Sequence, residues 1–288
     1  MQWFSILFRH TRRILLTAVL GGLLGATLVR LSPGFGVDER EMDFRLSRDS
    51  QAAAQSEHDS ERKIAVFYLR YLTGLARGDF GFSRSLNRPI AELLRQRLPL
   101  TIVSLAWGAF GGIALGFSLA ILTLLVPGAA SNLLGTLSSG LMLSLPAAVI
   151  ALGFLWFGGA GRWAIALIVF PHVYRYAKNA LAATARSPHV FAAEARGLSR
   201  TRIVLAHIVR PTAPQMFALA GISVSLAFGA SIPVEAICDI PGIGQLAWQA
   251  AMSRDLPLLV NITIWIALLT LVANTMADLA AAAWEPSR

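Results

Sequence analysis

The chain is poor in charge and nearly without cysteine. Only 14% of its 288 residues are Asp, Glu, Lys or Arg, against about 25% in soluble domains. Paired with apolar runs of helical length, that deficit excludes an ordinary water-soluble fold. The single cysteine, Cys238, excludes an intrachain disulfide and a thiolate zinc site, and reads as a small apolar residue near a membrane interface. The five histidines, His10, His58, His172, His189 and His207, stand in no metal-binding spacing. There is no glycine-rich P-loop motif to hold ATP, no nucleophile elbow and no nucleophile–base pair. The chain is therefore expected not to be an enzyme, and neither a cofactor nor a metal is expected. Acids are missing from the apolar runs apart from Asp278, near the end of the last one.

What is present is apolar side chain: 55% of the residues are hydrophobic and the mean hydropathy is +0.60. The formal charge of +9 is gathered into short stretches. Residues 1–13 hold Arg9, Arg12 and Arg13 and no acid; residues 31–98 nearly balance; residues 171–212 hold seven Lys or Arg against Glu194 alone. Basic residues packed into short loops beside apolar spans follow the positive-inside rule. No basic stretch lies in a soluble fold able to present it to nucleic acid, so the expected partner is the lipid bilayer and not nucleic acid.

Backbone groups in lipid must be satisfied within helices or closed barrels, and these runs are too long and continuous for barrel strands. An all-α membrane protein of about six transmembrane helices is expected. The first, Ile14–Val29, is read as uncleaved, because no A-x-A-like site follows it. Further spans are Leu98–Val126, Leu133–Phe157 with Pro146 inside it, and one from Trp163 that runs on as a more polar helix through Tyr174, Arg175 and Lys178. The last two are Met216–Val234 and Leu256–Ala277. Three regions result: 1–30, the N-terminal end with the first helix; 31–97, an external segment with an interfacial helix at Ile64–Arg77 and a polar stretch at 50–60; and 98–288, the core. Counting from a cytoplasmic N-terminus places 171–212 inside, 235–255 outside and the C-terminus inside, in agreement with the charge.

The inner segment has its own pattern. Ser187-Pro188 starts a helix, Ala192, Ala193 and Ala195 carry almost no side chain, Gly197 ends it, and Ser199 is placed to cap a second short helix. Physics alone leaves two readings: a small-faced unit that fits a groove on another protein, or a basic loop that sets topology. At the other end, Glu235 and Asp239 stand beside Pro241, Gly242 and Gly244, which break a helix before an apolar patch too short to span. This is an outer gate, a docking surface or plain interfacial packing.

The run Phe191, Ala192, Ala193, Glu194, Ala195, Arg196, Gly197, Leu198, Ser199 resembles the EAA loop of binding-protein-dependent ABC importer permeases, in the form seen in the dipeptide/oligopeptide/nickel branch. Gly78-Asp79-Phe80-Gly81-Phe82-Ser83, Arg88-Pro89-Ile90, Arg97-Leu98-Pro99-Leu100-Thr101, Ser144-Leu145-Pro146, Val234-Glu235, Pro241-Gly242-Ile243-Gly244, Arg254-Asp255-x-Pro257, Asn274-x-x-x-Asp278 and Glu285-Pro286 are similar to that branch, in order. Phe191 stands where the loop often has an acid, and Ser32-Pro33-Gly34-Phe35-Gly36 lacks the acidic form common after the first helix. The resemblance implies a permease in a bacterial-type inner membrane, paired with a homologous second permease. It also implies two ATPase subunits on the EAA-like coupling helix and an external substrate-binding protein. The alternatives are a degenerate, non-transporting scaffold and a stand-alone proton-coupled transporter.

Overall fold

Charge-free runs fold here into helices, as lipid demands. The computed structural model describes residues 79–126 and 128–284, together with Arg12, Leu16, Leu20, Leu23, Thr27 and Gly74, each of them helical. The rest of the expected first span 14–29, the expected interfacial helix 64–77, the stretch 50–60 and Glu285-Pro286 lie outside the described residues. Two compact units are distinguished, Met1–Gln96 with Gln249–Leu268, and Arg97–Trp248 with Leu269–Arg288.

The described elements are β1 (Phe82–Ser83), β2 (Arg88–Pro89), α1 (Ile90–Leu125), α2 (Ala129–Ser144), α3 (Ala147–Trp156), α4 (Gly161–Ala185), α5 (Pro188–Ala195), α6 (Arg200–Arg202), a π-helical stretch Ile203–Val209, α7 (Arg210–Ile237), α8 (Ile243–Met252) and α9 (Leu256–Trp284). Among the described residues, three helical runs are long and apolar enough to cross a membrane: Ile90–Leu125, Arg200–Ile237 and Leu256–Trp284. The bent pair α2–α3 makes a fourth if it counts as one span. The expected six adds α4, whose second half carries Arg175 and Lys178, and the first span 14–29, described at only four positions.

In the first unit, β1 and β2 pair antiparallel, with Phe82 opposite Pro89 and Ser83 opposite Arg88. The hairpin starts from an Asx turn in which the Gly81 amide donates to Asp79 Oδ1 at 2.9 Å. Asn261 Nδ2 donates to the Phe80 carbonyl at 2.9 Å, and the Phe80 ring stacks on Trp265, centroids 6.2 Å apart.

In the second unit α4 is central, packing on α2, α3, α7 and the π stretch. Ile165, Val169, Val173, Tyr174, Ala177 and Leu181 are buried along it. Helix α1 lies against α4 through Gly108, Gly112 and Gly116, where an added Cβ would stand 2.5 Å from Ile165, 2.7 Å from Val169 and 2.8 Å from Val173. Glycine at every fourth position lets two helix backbones approach closely in lipid. Further along, Gly221 of α7 faces Asn274 and Ala277 of α9, and the Trp284 ring packs on Phe217 at 5.9 Å.

Two expectations are corrected. Leu133–Phe157 is not one continuous helix: α2 and α3 meet at 97°. Leu145, the residue before Pro146, is extended at φ −89°, ψ 126°, because the proline ring disfavours helical geometry in the residue that precedes it. The second short helix expected after Ser199 is likewise not separate. The chain is helical without a break from Arg200 through the π stretch to Ile237, so only α5 is short. The expected spans from Leu98, Met216 and Leu256 are present and extended, as α1 from Ile90, α7 from Arg210 and α9 to Trp284.

Candidate functional site

Two constellations singled out in the sequence assemble in the second unit. The first is α5. Pro188 occupies its first turn, where a missing N–H costs nothing. The Ser187 hydroxyl does not cap the helix; it donates to the Thr184 carbonyl of the preceding turn. The far end is a Schellman motif: the Gly197 amide donates to Glu194 O at 2.9 Å and the Leu198 amide to Ala193 O at 3.4 Å. Gly197 has φ +72°, a left-handed conformation that side chains disfavour.

The faces of α5 are sharply divided. Val190 and Ala193 are buried in a cluster with Tyr174, Leu181, Ile203, Val204 and Ile208. Phe191, Ala192, Glu194, Ala195, Arg196, Gly197 and Ser199 are exposed, and Leu198 is half-buried. Ala193 therefore belongs to the chain's own core, while Ala192 and Ala195 remain as small residues on the open face. His189 Nε2 lies 2.9 Å from the His207 carbonyl in the π stretch. Arg200 Nε donates to Leu124 O at 2.9 Å, satisfying a carbonyl at the end of α1. A cavity of about 290 Å³ opens beside Glu194, Leu198 and Arg200.

The second constellation surrounds Glu235, which is fully buried near the end of α7. Its Oε2 accepts the Gly244 amide at 2.6 Å and the Gln245 amide at 3.3 Å. Its Oε1 accepts the Thr101 hydroxyl at 3.1 Å. Thr101 Oγ1 in turn accepts the Ile243 amide at 2.6 Å. The open amides of the first turn of α8 thus point at one carboxylate and its threonine neighbour, the favourable polarity for a helix N-terminus. Gln245 extends the network, donating through Nε2 to Asp239 Oδ1 at 2.6 Å and accepting from Arg97 Nη1 at 2.8 Å. Gly242 and Gly244 have no room for a Cβ, since the Glu235 carboxyl occupies that space. Pro241 precedes them and is exposed. Cys238 faces a separate cavity of about 430 Å³ beside Arg162 and the Gly158–Gly161 turn.

The sequence pattern placed Glu235, Asp239, Pro241, Gly242 and Gly244 together. Arg97 and Thr101, singled out in a separate motif and not tied to this group, complete the network with Gln245, which the pattern missed. It also missed Tyr174, which is buried with a hydroxyl lacking a partner among the described residues and lies against Gly135. Among the described residues no His, Cys, Asp and Glu converge as a metal-binding group.

Residues 93–288 match the family model described as "Binding-protein-dependent transport system inner membrane component". The glutathione transport system permease protein GsiC of Salmonella paratyphi A is 26% identical, over 94% of this chain and 94% of that one. The nickel import system permease protein NikB of Staphylococcus aureus is 24% identical, over 99% and 91%. The oligopeptide transport system permease protein AppB of Bacillus subtilis is 23% identical, over 92% of each. In fold, the chain is similar to the MetNI methionine ABC transporter in its inward-facing form, with a TM-score of 0.59 and 17% identity over 67% of this chain and 97% of that one. The chain belongs to the binding-protein-dependent transport system inner membrane components: it is a multi-pass membrane permease subunit of an ABC importer.

Proposed function

We propose that this permease carries a small peptide-like solute inward across a bacterial-type inner membrane by alternating access. It does so with a homologous second permease, two ATPase subunits and an external binding protein. Its N- and C-termini and residues 171–212 face the cytoplasm. The cargo class is supported by relatives named for glutathione, itself a tripeptide, and for oligopeptides; the nickel relative widens the range to small complexes.

The observation that carries this reading is the divided face of α5. Val190 and Ala193 anchor the helix in the core, while Phe191, Ala192, Glu194 and Ala195 stand outward on a rigid turn closed by Gly197. Such a helix transmits a push from a bound partner into the bundle. At the other end, Glu235, Asp239, Pro241, Gly242 and Gly244 form part of an outer gate.

The test is reconstitution with the neighbouring permease, ATPase and binding-protein genes in vesicles. ATP-dependent accumulation of a labelled di- or tripeptide is the expected result. An assembled complex that hydrolyses ATP and accumulates neither peptides nor nickel complexes would overturn the cargo assignment. A pull-down of Ala192→Cys that crosslinks to no ATPase subunit would overturn the docking role of α5.

A further inference from the structure

We propose that Glu235 is the latch of the outer gate: its carboxyl group holds the first turn of α8 onto α7 and α1, and α8 swings free when that bond set is broken. The proposal deepens the gate reading above and rests on it.

Four observations converge. Glu235 is fully buried, a costly place for a carboxyl group unless its oxygens are satisfied. Both oxygens are satisfied, and every partner lies in the first turn of α8 or on Thr101, which also binds α8. The contact is close: a Cβ on Gly244 would stand 2.8 Å from Glu235 Oε2 and 2.9 Å from Ser231 O. Asp239, with φ +49°, and Gln245 then close the connection between α7 and α8 by a side-chain hydrogen bond. Helix α8 thus has no cap of its own. The open amides of its first turn are satisfied by residues of α7 and α1, so these polar bonds fix its start, beside the burial of Ile243, Leu246 and Ala250. Polar bonds of this kind exchange for water when a segment moves outward, which is the property a gate requires.

The experiment uses the reconstituted complex in a Cys238→Ser background with Leu246→Cys as reporter. Leu246 is fully buried beneath α8, so a membrane-impermeant maleimide reaches position 246 only when the helix lifts. Glu235→Gln keeps one oxygen for the Gly244 and Gln245 amides but turns an NH₂ toward Thr101, whose hydroxyl then loses its acceptor, and Thr101→Val removes the bridging hydroxyl. Each is expected to raise the labelling rate about tenfold or more, while Thr101→Ser, which keeps the hydroxyl, is expected to restore the slow rate. ATP hydrolysed per solute imported should rise in the fast-labelling variants at normal membrane abundance. If Glu235→Gln fails to assemble, Gly244→Ala probes the same contact with the carboxyl group intact. Unchanged labelling in Thr101→Val and in the assembled Glu235 or Gly244 variant overturns the latch whatever the uptake. Faster labelling with normal coupled uptake upholds the latch and removes the gate role of residues 235–244.

Discussion

The Ser83 hydroxyl donates to Asp255 Oδ2 at 2.7 Å, joining residues 172 positions apart. The same oxygen accepts the Ser85 amide at 3.0 Å and the Ser85 hydroxyl at 2.9 Å. Asp255 Oδ1 accepts the Leu258 amide at 3.2 Å, so one side chain caps α9 and fastens the β-hairpin. This is the physical link between two of the motifs, Gly78–Ser83 and Arg254-Asp255-x-Pro257. A serine in one is meaningful because an aspartate in the other receives it.

Asp255→Ala should therefore destabilise the first unit by about 3 kcal/mol, because it leaves several donors without their acceptor. Ser83→Ala removes one bond and should cost about 1 kcal/mol. The thermal midpoint of the detergent-solubilised chain, with limited proteolysis across 81–89, measures both. Equal effects of the two substitutions would show that the remaining Asp255 bonds contribute nothing.

Gly112→Leu should disrupt the bundle more severely than Gly140→Leu. A Cβ on Gly112 meets Val169 at 2.7 Å and the Ala166 carbonyl at 2.9 Å, whereas nothing lies within 4 Å at Gly140. Both substitutions improve hydropathy and helix propensity, so a reading based on insertion alone predicts no loss from either. Close packing predicts a cost above about 3 kcal/mol at Gly112, seen as reduced membrane abundance and a lower thermal midpoint.

The all-helical class of the fold was legible in the sequence because lipid leaves the backbone few choices. The break at Pro146 was not. A proline inside a long apolar run is compatible with a gentle kink or a sharp bend, and only the extended Leu145 decides between them. Gly108, Gly112 and Gly116 stand at every fourth position, but the reading of the sequence did not single them out, because their partners on α4 are set by tertiary packing. The alanines of α5 look alike in the sequence; Ala193 parts from Ala192 and Ala195 only because the helix turns that one position into the core. Glu235 and the glycines near it were grouped by proximity, while Thr101 lies 134 positions away and is brought in by α1.

The basic segment 171–212 should face the cytoplasm and residues 31–98 the outside. Single cysteines at Ser56 and Ser199, each in a Cys238→Ser background, test this in intact cells with an impermeant thiol reagent. Labelling at 56 and protection at 199 is the expected result, and the reverse pattern would invert the topology.

Three substitutions in the α5 segment separate its core side from its contact side. Ala193→Trp inserts a large ring where the side chain is only 3% exposed, against Val190, Ile203 and Val204. Overpacking of that kind costs about 1–3 kcal/mol or more, so membrane abundance should fall and transport with it. Ala192→Trp places the same ring on the open face. There the chain should fold and insert normally, while ATP hydrolysis by the complex and uptake both drop, because the bulk blocks the partner's approach. Gly197→Val acts differently again. At φ +72° a β-branched side chain costs about 1–2 kcal/mol and loosens the Schellman turn that fixes the end of α5. The complex should still assemble, with uptake reduced more than ATP hydrolysis, because force reaches the bundle through a softened joint. Reconstituted vesicles, with abundance, ATPase activity and uptake measured for each variant, distinguish these three patterns. Normal uptake by Ala192→Trp at normal abundance would show that the open face of α5 carries no partner, leaving the segment as a topology-setting loop.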